Sequence, residues 1–141
     1  MAVRSAQAAW QGDLKGGKGT MKLGSGAWEG AYDFGSRFEA AAGTNPEELI
    51  GAALAGCFSM ALAGGLGRAG HTPKRVETRA KVHIEKVETG FAITRIELDC
   101  EAEVAGIDDA AFQEAAATTK STCPVSRALT PEITLQARLK T

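Results

Sequence analysis

An uncharged segment of nineteen residues, Leu49–Gly67, restricts most strongly what this chain can fold into. Its length alone would let a helix cross a bilayer. Much of it is Ala and Gly, however, and a membrane span needs large apolar side chains to offset the cost of its backbone. We therefore expect no membrane insertion. The segment instead predicts a helix buried on all sides in a soluble core, where Gly51, Ala55 and Gly56 permit a neighbouring helix to approach closely.

The residues just before this segment carry the signals of a helix start. Asn45 can cap the first turn, and Pro46 suits the first helical position. Glu47 and Glu48 then stand where the positive end of the helix dipole favours acidic side chains. The helix is expected to weaken at its later glycines and to end before Pro73.

The rest of the chain predicts an α+β fold. The first forty residues are rich in Gly and favour short strands and turns. Between residues 76 and 104, two runs of alternating apolar and polar residues predict a hairpin. Two helices, from residue 108 and from about residue 123, and a strand after Pro131 complete the order. Because a hairpin is explicit and no regular βαβ alternation occurs, we expect an antiparallel sheet.

Composition limits the classes of function. A length of 141 residues fits one domain, 1–141, and 16 Lys+Arg nearly cancel 17 Asp+Glu, so no field of one sign favours nucleic acid or an anionic membrane. Three cysteines without a C-x-x-C pair exclude both a disulfide framework and a four-cysteine zinc site. The first ten residues lack the apolar run of a secretory signal, so we expect a cytoplasmic protein.

Two patterns that look like ligand sites are expected to bind nothing. Residues 12–18 match most of a phosphate-binding loop, but Gly19 takes the place of the hydroxyl that holds magnesium, and the following segment favours a strand. His71 and His83 have no spacing that gathers metal ligands. We therefore expect neither a cofactor nor a metal ion.

The cysteines are the candidates for chemistry. Cys57 lies within the apolar helix, where desolvation raises the pKa of a thiol, so it needs a nearby cation to react. Arg37, just ahead of the helix, is one candidate for that cation, and Arg127 is the alternative. Cys123 precedes a helix whose free N–H groups favour a thiolate. Cys100 shares the parity of the apolar strand residues and is expected to be an inert core thiol.

Three segments resemble a known family. They are Gly43–Ala53, Ala55–Leu62 and the run Cys123-Pro124-Val125-Ser126. The chain resembles the OsmC/Ohr family of thiol peroxidases, and within it the osmotically inducible OsmC branch. The Ohr branch carries its arginine in the first strand turn, where this chain has lysines, so the assignment of the activating cation rests on Arg37.

The resemblance implies both a fold and a mechanism. The implied fold is OsmC-like, with antiparallel sheets around a long buried central helix in an intertwined homodimer. Cys57 would attack the O–O bond of a hydroperoxide and become a sulfenic acid, and Cys123 would resolve it as a disulfide. Arg37 and Glu47 would be the charged pair that activates the thiolate. A dithiol, such as protein-bound dihydrolipoamide, would reduce the disulfide.

Helix geometry suggests that two chains share the site. Glu47 precedes Cys57 by ten residues, which is about 15 Å along one helix, so the two cannot touch within it. Glu47 could orient an arginine that reaches Cys57 if a long side chain bridged most of that gap, or if a second copy packed antiparallel supplied its own Glu47. The second route is the simpler one. The apolar surroundings favour organic hydroperoxides over hydrogen peroxide. The alternative is a non-catalytic homodimer that senses redox state or binds a small molecule, which would not turn over repeatedly.

Overall fold

The computed structural model describes residues 2–140, which form two compact units that meet in sequence between Leu49 and Ile50. The first unit contains β1 (Ala6–Gln11), β2 (Lys18–Leu23), β3 (Glu29–Tyr32) and α1 (Phe34–Phe38). Helix α2 (Pro46–Arg68) begins in the first unit and continues into the second. The second unit also contains β4 (Arg75–Val87), β5 (Gly90–Glu103), α3 (Asp109–Thr122), α4 (Pro124–Ala128) and β6 (Glu132–Lys140).

The first unit is built on the short strands that its glycines predict. Strands β1, β2 and β3 form an antiparallel sheet in that order. Gly19 lies in β2, where an added Cβ would come within 2.6 Å of the Trp10 ring. The segment after the glycine-rich turn is therefore a strand, as predicted, and not the helix that a phosphate-binding loop requires.

Helix α1 is short and is held by a reciprocal cap. The backbone N–H of Ser36 donates to Oδ1 of Asp33 at 2.7 Å, and the N–H of Asp33 donates to the Ser36 hydroxyl at 2.9 Å. Such a capping box satisfies two N–H groups that the helix itself leaves free. It fixes the start of α1, whose last turn contains Arg37.

Helix α2 begins where the sequence predicts. Pro46 is its first residue, and Oδ1 of Asn45 accepts the N–H of Glu48 at 2.7 Å. The helix continues through its later glycines to Arg68 and is followed by Gly70, whose φ of 92° suits a helix end. By length and composition α2 could cross a membrane, but the core helix of a soluble protein passes the same test.

The prediction that α2 is buried on all sides is wrong within one chain. One row of side chains is fully buried: Leu54, Phe58, Leu62 and Leu66. The opposite side is open, with Met60 81% exposed and Gly56 free of any neighbour that a Cβ would meet. The physical reason is that a helix packed on a single sheet covers only one of its faces.

The position of Gly51 also differs from the prediction. We expected Gly51, Ala55 and Gly56 to face another helix, but a Cβ on Gly51 would lie 3.2 Å from Val82 and 3.6 Å from Ala80, both in β4. Gly51 therefore lets α2 approach its own sheet.

The second sheet has the order β4-β5-β6. The predicted hairpin is confirmed, since β4 and β5 pair antiparallel from Arg75–Glu103 to Val87–Gly90. Strand β6, however, runs parallel to β5, so the expected purely antiparallel sheet is wrong. Helices α3 and α4 form the connection between these two strands, and a crossover of this kind returns the chain to the end of the sheet from which β5 started.

The core of the second unit lies between this sheet, α2 and α3. Strand β5 contributes four residues that are each at most 2% exposed: Ile96, Leu98, Cys100 and Ala102. This confirms the predicted parity, including the inward position of Cys100. The hydroxyl of Ser59 donates to that of Thr78 at 2.7 Å and so ties α2 to β4 near Cys57.

Candidate active site

The second unit brings two of the three cysteines together. Cys57 lies in α2 and is half-buried, while Cys123 joins α3 to α4 and is only 1% exposed. The thiol of Cys57 interacts directly with that of Cys123. All three cysteines are free thiols. The fold therefore brings two free thiols together without joining them.

Both thiols line one open pocket of about 850 Å³. Its walls come from α2 and α3, and its surface is mainly apolar, with small or apolar residues that include Met60, Ala61, Ala111 and Ala115. Its charged lining residues are Arg68 and Glu114. A pocket of this size and character suits a small organic molecule.

Backbone groups of α4 contact the sulfurs. The backbone of Val125 lies close to the Cys57 sulfur. Cys123 caps α4 through its side chain, which accepts the N–H of Ser126 at 3.4 Å. The Ser126 hydroxyl lies 2.9 Å from the same sulfur. Two consecutive residues of α4 therefore each contact one of the two thiols.

Burial raises the pKa of the Cys57 thiol, as its place in an apolar helix predicts. The hydrogen bond from Val125 lowers this pKa in part, while the neighbouring Cys123 raises it further. Among the described residues of the second unit, no positively charged side chain lowers it. A positive charge brought near Cys57 would lower this pKa and favour the thiolate.

The first unit contains an ion pair between Arg37 and Glu47. Nε of Arg37 donates to both carboxylate oxygens of Glu47, at 3.1 and 3.2 Å, and Nη2 donates to Oε1 at 2.7 Å. Glu47 is only 5% exposed. Nδ2 of Asn45 donates to the carbonyl of Ser36 at 2.9 Å and links α1 to the start of α2. The two residues expected to form the charged pair are therefore held together.

Aromatic side chains surround the arginine of this pair. The guanidinium carbon of Arg37 lies 5.1 Å from the centre of the Phe38 ring. A cleft of about 220 Å³ beside it is lined by Trp10, Leu14, Tyr32, Asp33, Phe34, Arg37 and Phe38. The first unit therefore presents a fixed cation in an aromatic setting.

The other candidate residues lie apart from the thiol pair. Arg127 is exposed on α4 and is not among the groups that shift the Cys57 pKa. Cys100 lies in the sheet, where burial raises the pKa of its thiol and a hydrogen bond with Thr78 partly lowers it. His83 pairs with Glu97 at 2.5 Å, and residues 2–140 hold no cluster of three metal-binding side chains.

Sequence reasoning missed the contacts that Val125 and Ser126 make. Both belong to the motif that carries the family resemblance, yet no role followed from their residue types. The signal was present in the run Cys123-Pro124, because a capping residue followed by proline at the first helical position places the next two N–H groups near the cap.

This chain is similar to proteins of a known family. Residues 39–138 match the model of the OsmC family, described as OsmC-like protein. Proteins named Peroxiredoxin OsmC from Escherichia coli and Shigella flexneri are each 51% identical over 138 residues, which cover 97% of this chain and 96% of each relative.

Solved structures show the same fold at lower identity. The organic hydroperoxide resistance protein OhrB of Bacillus subtilis superposes with a TM-score of 0.69 at 23% identity, covering 96% of this chain and 98% of that one. An OsmC-like protein from Mycoplasma pneumoniae gives a TM-score of 0.77 at 15% identity, covering 99% of both chains. From the family match and the two curated relatives, this chain belongs to the OsmC family.

Proposed function

We propose that this chain is a thiol-dependent peroxidase that reduces organic hydroperoxides in defence against oxidative stress. The observation that carries the proposal is the meeting of Cys57 and Cys123 in one apolar pocket. Membership of the OsmC family and 51% identity to proteins named Peroxiredoxin OsmC support the same class of enzyme.

The reaction has three steps. The Cys57 thiolate attacks the terminal oxygen of a hydroperoxide ROOH, the O–O bond breaks, and the product alkoxide is protonated to ROH. Cys57 is left as a sulfenic acid. The sulfur of Cys123 then attacks the Cys57 sulfur, the S–O bond breaks, and oxygen leaves as water. A dithiol reduces the resulting disulfide by thiol exchange and restores both cysteines.

Arg37 supplies the cation in this proposal, and Glu47 orients it. The three hydrogen bonds between them use Nε and Nη2 of the guanidinium, and Nη1 has no hydrogen-bond partner in the part of the chain that the structure describes. A positive N–H donor is what both the thiolate and the departing alkoxide need in the transition state. The buried carboxylate fixes that donor before the substrate arrives.

The active enzyme is a homodimer in which the partner brings this ion pair to the thiols. Glu47 and Cys57 lie ten residues apart in the single helix α2, or about 15 Å along its axis. The open face of α2, which includes Ala52, Gly56 and Met60, is the surface that a second, antiparallel copy would cover. The two units of each chain then act as one OsmC-like domain, 1–141.

The pocket also indicates the kind of substrate and reductant. Its mainly apolar lining stabilises an alkyl or aryl group, which hydrogen peroxide lacks. Three cysteines that form no disulfide in the structure fit a cytoplasmic location, and a dithiol such as protein-bound dihydrolipoamide is a suitable reductant.

Repeated turnover tests this function. With excess dihydrolipoamide, the purified protein is expected to consume many equivalents of cumene hydroperoxide per chain, and to react more slowly with hydrogen peroxide at the same concentration. Peroxide loss is measured over time against a mixture without protein. Consumption that stops after one equivalent per chain would instead indicate the non-catalytic redox sensor.

A further inference from the structure

The side chain of Ser126 has an unusual partner for a buried hydroxyl. Ser126 is 7% exposed, and its Oγ lies 2.9 Å from the sulfur of Cys123. In residues 2–140 this is the only hydrogen bond of that hydroxyl. The nearby hydroxyls of Ser121 and Thr122 behave differently, because they donate to carbonyls one turn earlier in α3, the usual destination in a helix.

We propose that Ser126 is a positioning residue for the resolving step, in which it holds the Cys123 sulfur toward Cys57 and donates its O–H to that sulfur as negative charge forms there. This inference rests on the proposed function, in which Cys123 resolves the sulfenic acid. In that step Cys123 gives an electron pair to the Cys57 sulfur. The S–O bond breaks, and the departing oxygen takes the thiol proton and leaves as water.

Burial explains why such help is needed. Cys123 is 1% exposed, so water cannot solvate a thiolate at this position. Ser126 brings two groups to the same sulfur: its hydroxyl at 2.9 Å, which can donate to a thiolate, and its backbone N–H, which donates at 3.4 Å. Hydrogen bonds to a charged acceptor are about twice as strong as those between neutral groups.

Few other groups near Cys123 titrate or carry charge. Cys57 faces it from α2. Arg68 of α2 and Glu114 of α3 line the same pocket, and Arg127 of α4 is exposed. Ser126 itself does not titrate, so a change in the pH dependence of resolution on its substitution must arise through a group that its hydroxyl contacts.

Single-turnover kinetics of Ser126→Ala separate the two oxidation steps. One equivalent of cumene hydroperoxide is mixed with the reduced full-length protein, and samples are acid-quenched, alkylated and analysed by mass spectrometry. We expect the sulfenic acid to form at the wild-type rate and the disulfide to form about tenfold more slowly. The rate of disulfide formation should also shift to higher pH, and more Cys57 should proceed to sulfinic acid.

Two matched variants complete the test. Ser126→Thr keeps the hydroxyl and is expected to recover most of the resolving rate. Ser121→Ala removes an exposed hydroxyl that bonds only to α3 carbonyls and should change neither step.

The inference would be overturned by wild-type resolution in Ser126→Ala, by an unchanged pH profile, or by a failure of the threonine variant to recover when its thermal unfolding is normal. If the wild-type protein itself forms no disulfide, the proposed function fails instead.

Discussion

Cys57→Ser is expected to lower the steady-state consumption of cumene hydroperoxide by about a thousandfold or more, because a serine hydroxyl is not ionised at neutral pH and no other nucleophile occupies its place. The rate is measured with excess dihydrolipoamide. Cys123→Ser should behave differently, with one oxidation of Cys57 followed by loss of the protein to over-oxidation.

The matched control is Cys100→Ser. Cys100 is fully buried in the sheet and does not line the thiol pocket. A serine there can keep the hydrogen bond with Thr78, so turnover should remain within about twofold of wild type. Activity that survives Cys57→Ser but is lost in Cys100→Ser would contradict the assignment of the nucleophile to Cys57.

Arg37→Ala is expected to lower kcat/KM by about 10²- to 10³-fold, because it removes the cation that stabilises both the thiolate and the departing oxygen. A nearby positive charge lowers the pKa of a thiol, so its loss leaves only the raised pKa that burial imposes on Cys57. The rate of the first oxidation should therefore shift to higher pH. Arg127→Ala, an exposed site on α4, should retain nearly full activity.

A mixture of chains shows where the arginine acts. Cys57→Ser and Arg37→Ala chains are each expected to be nearly inactive alone, but a heterodimer with a shared site contains one complete set of residues. Random exchange should restore about a quarter of wild-type activity, since half the dimers are mixed and each has one working site. Demonstrated heterodimers without turnover, or a fully active monomer, would contradict the shared site.

Much of the fold follows from local patterns in the sequence. Asn45 and Pro46 predict the start of α2 because capping depends only on adjacent residues. The inward side of β5 follows from its alternation of apolar and polar residues, and Cys100 is buried as that parity predicts. Features of this kind need no knowledge of distant parts of the chain.

The predictions that were wrong concern how helices and strands pack and pair with one another. A run of small and apolar residues cannot show whether a helix is covered on one face or on all, and Met60 is exposed because a single sheet packs against α2. Strand β6 has the alternation of any half-buried strand, so its parallel pairing with β5 could not be read from its residues.

The candidate site also has features that the sequence predicts and features that it does not. The raised pKa of Cys57 follows from its helix, but the pairing of Arg37 with Glu47 came from the family resemblance and not from spacing. The contact between Ser126 and Cys123 depends on the side-chain direction at the cap of α4, which motif letters alone do not specify.

The most direct test of the account is the disulfide formed after one equivalent of cumene hydroperoxide. Unreduced peptide mapping by mass spectrometry should find Cys57 joined to Cys123 within one chain, with Cys100 still a free thiol. Dihydrolipoamide should then return all three cysteines to the reduced state. A bridge that involves Cys100, or a Cys57 that oxidises without ever joining Cys123, would contradict the mechanism.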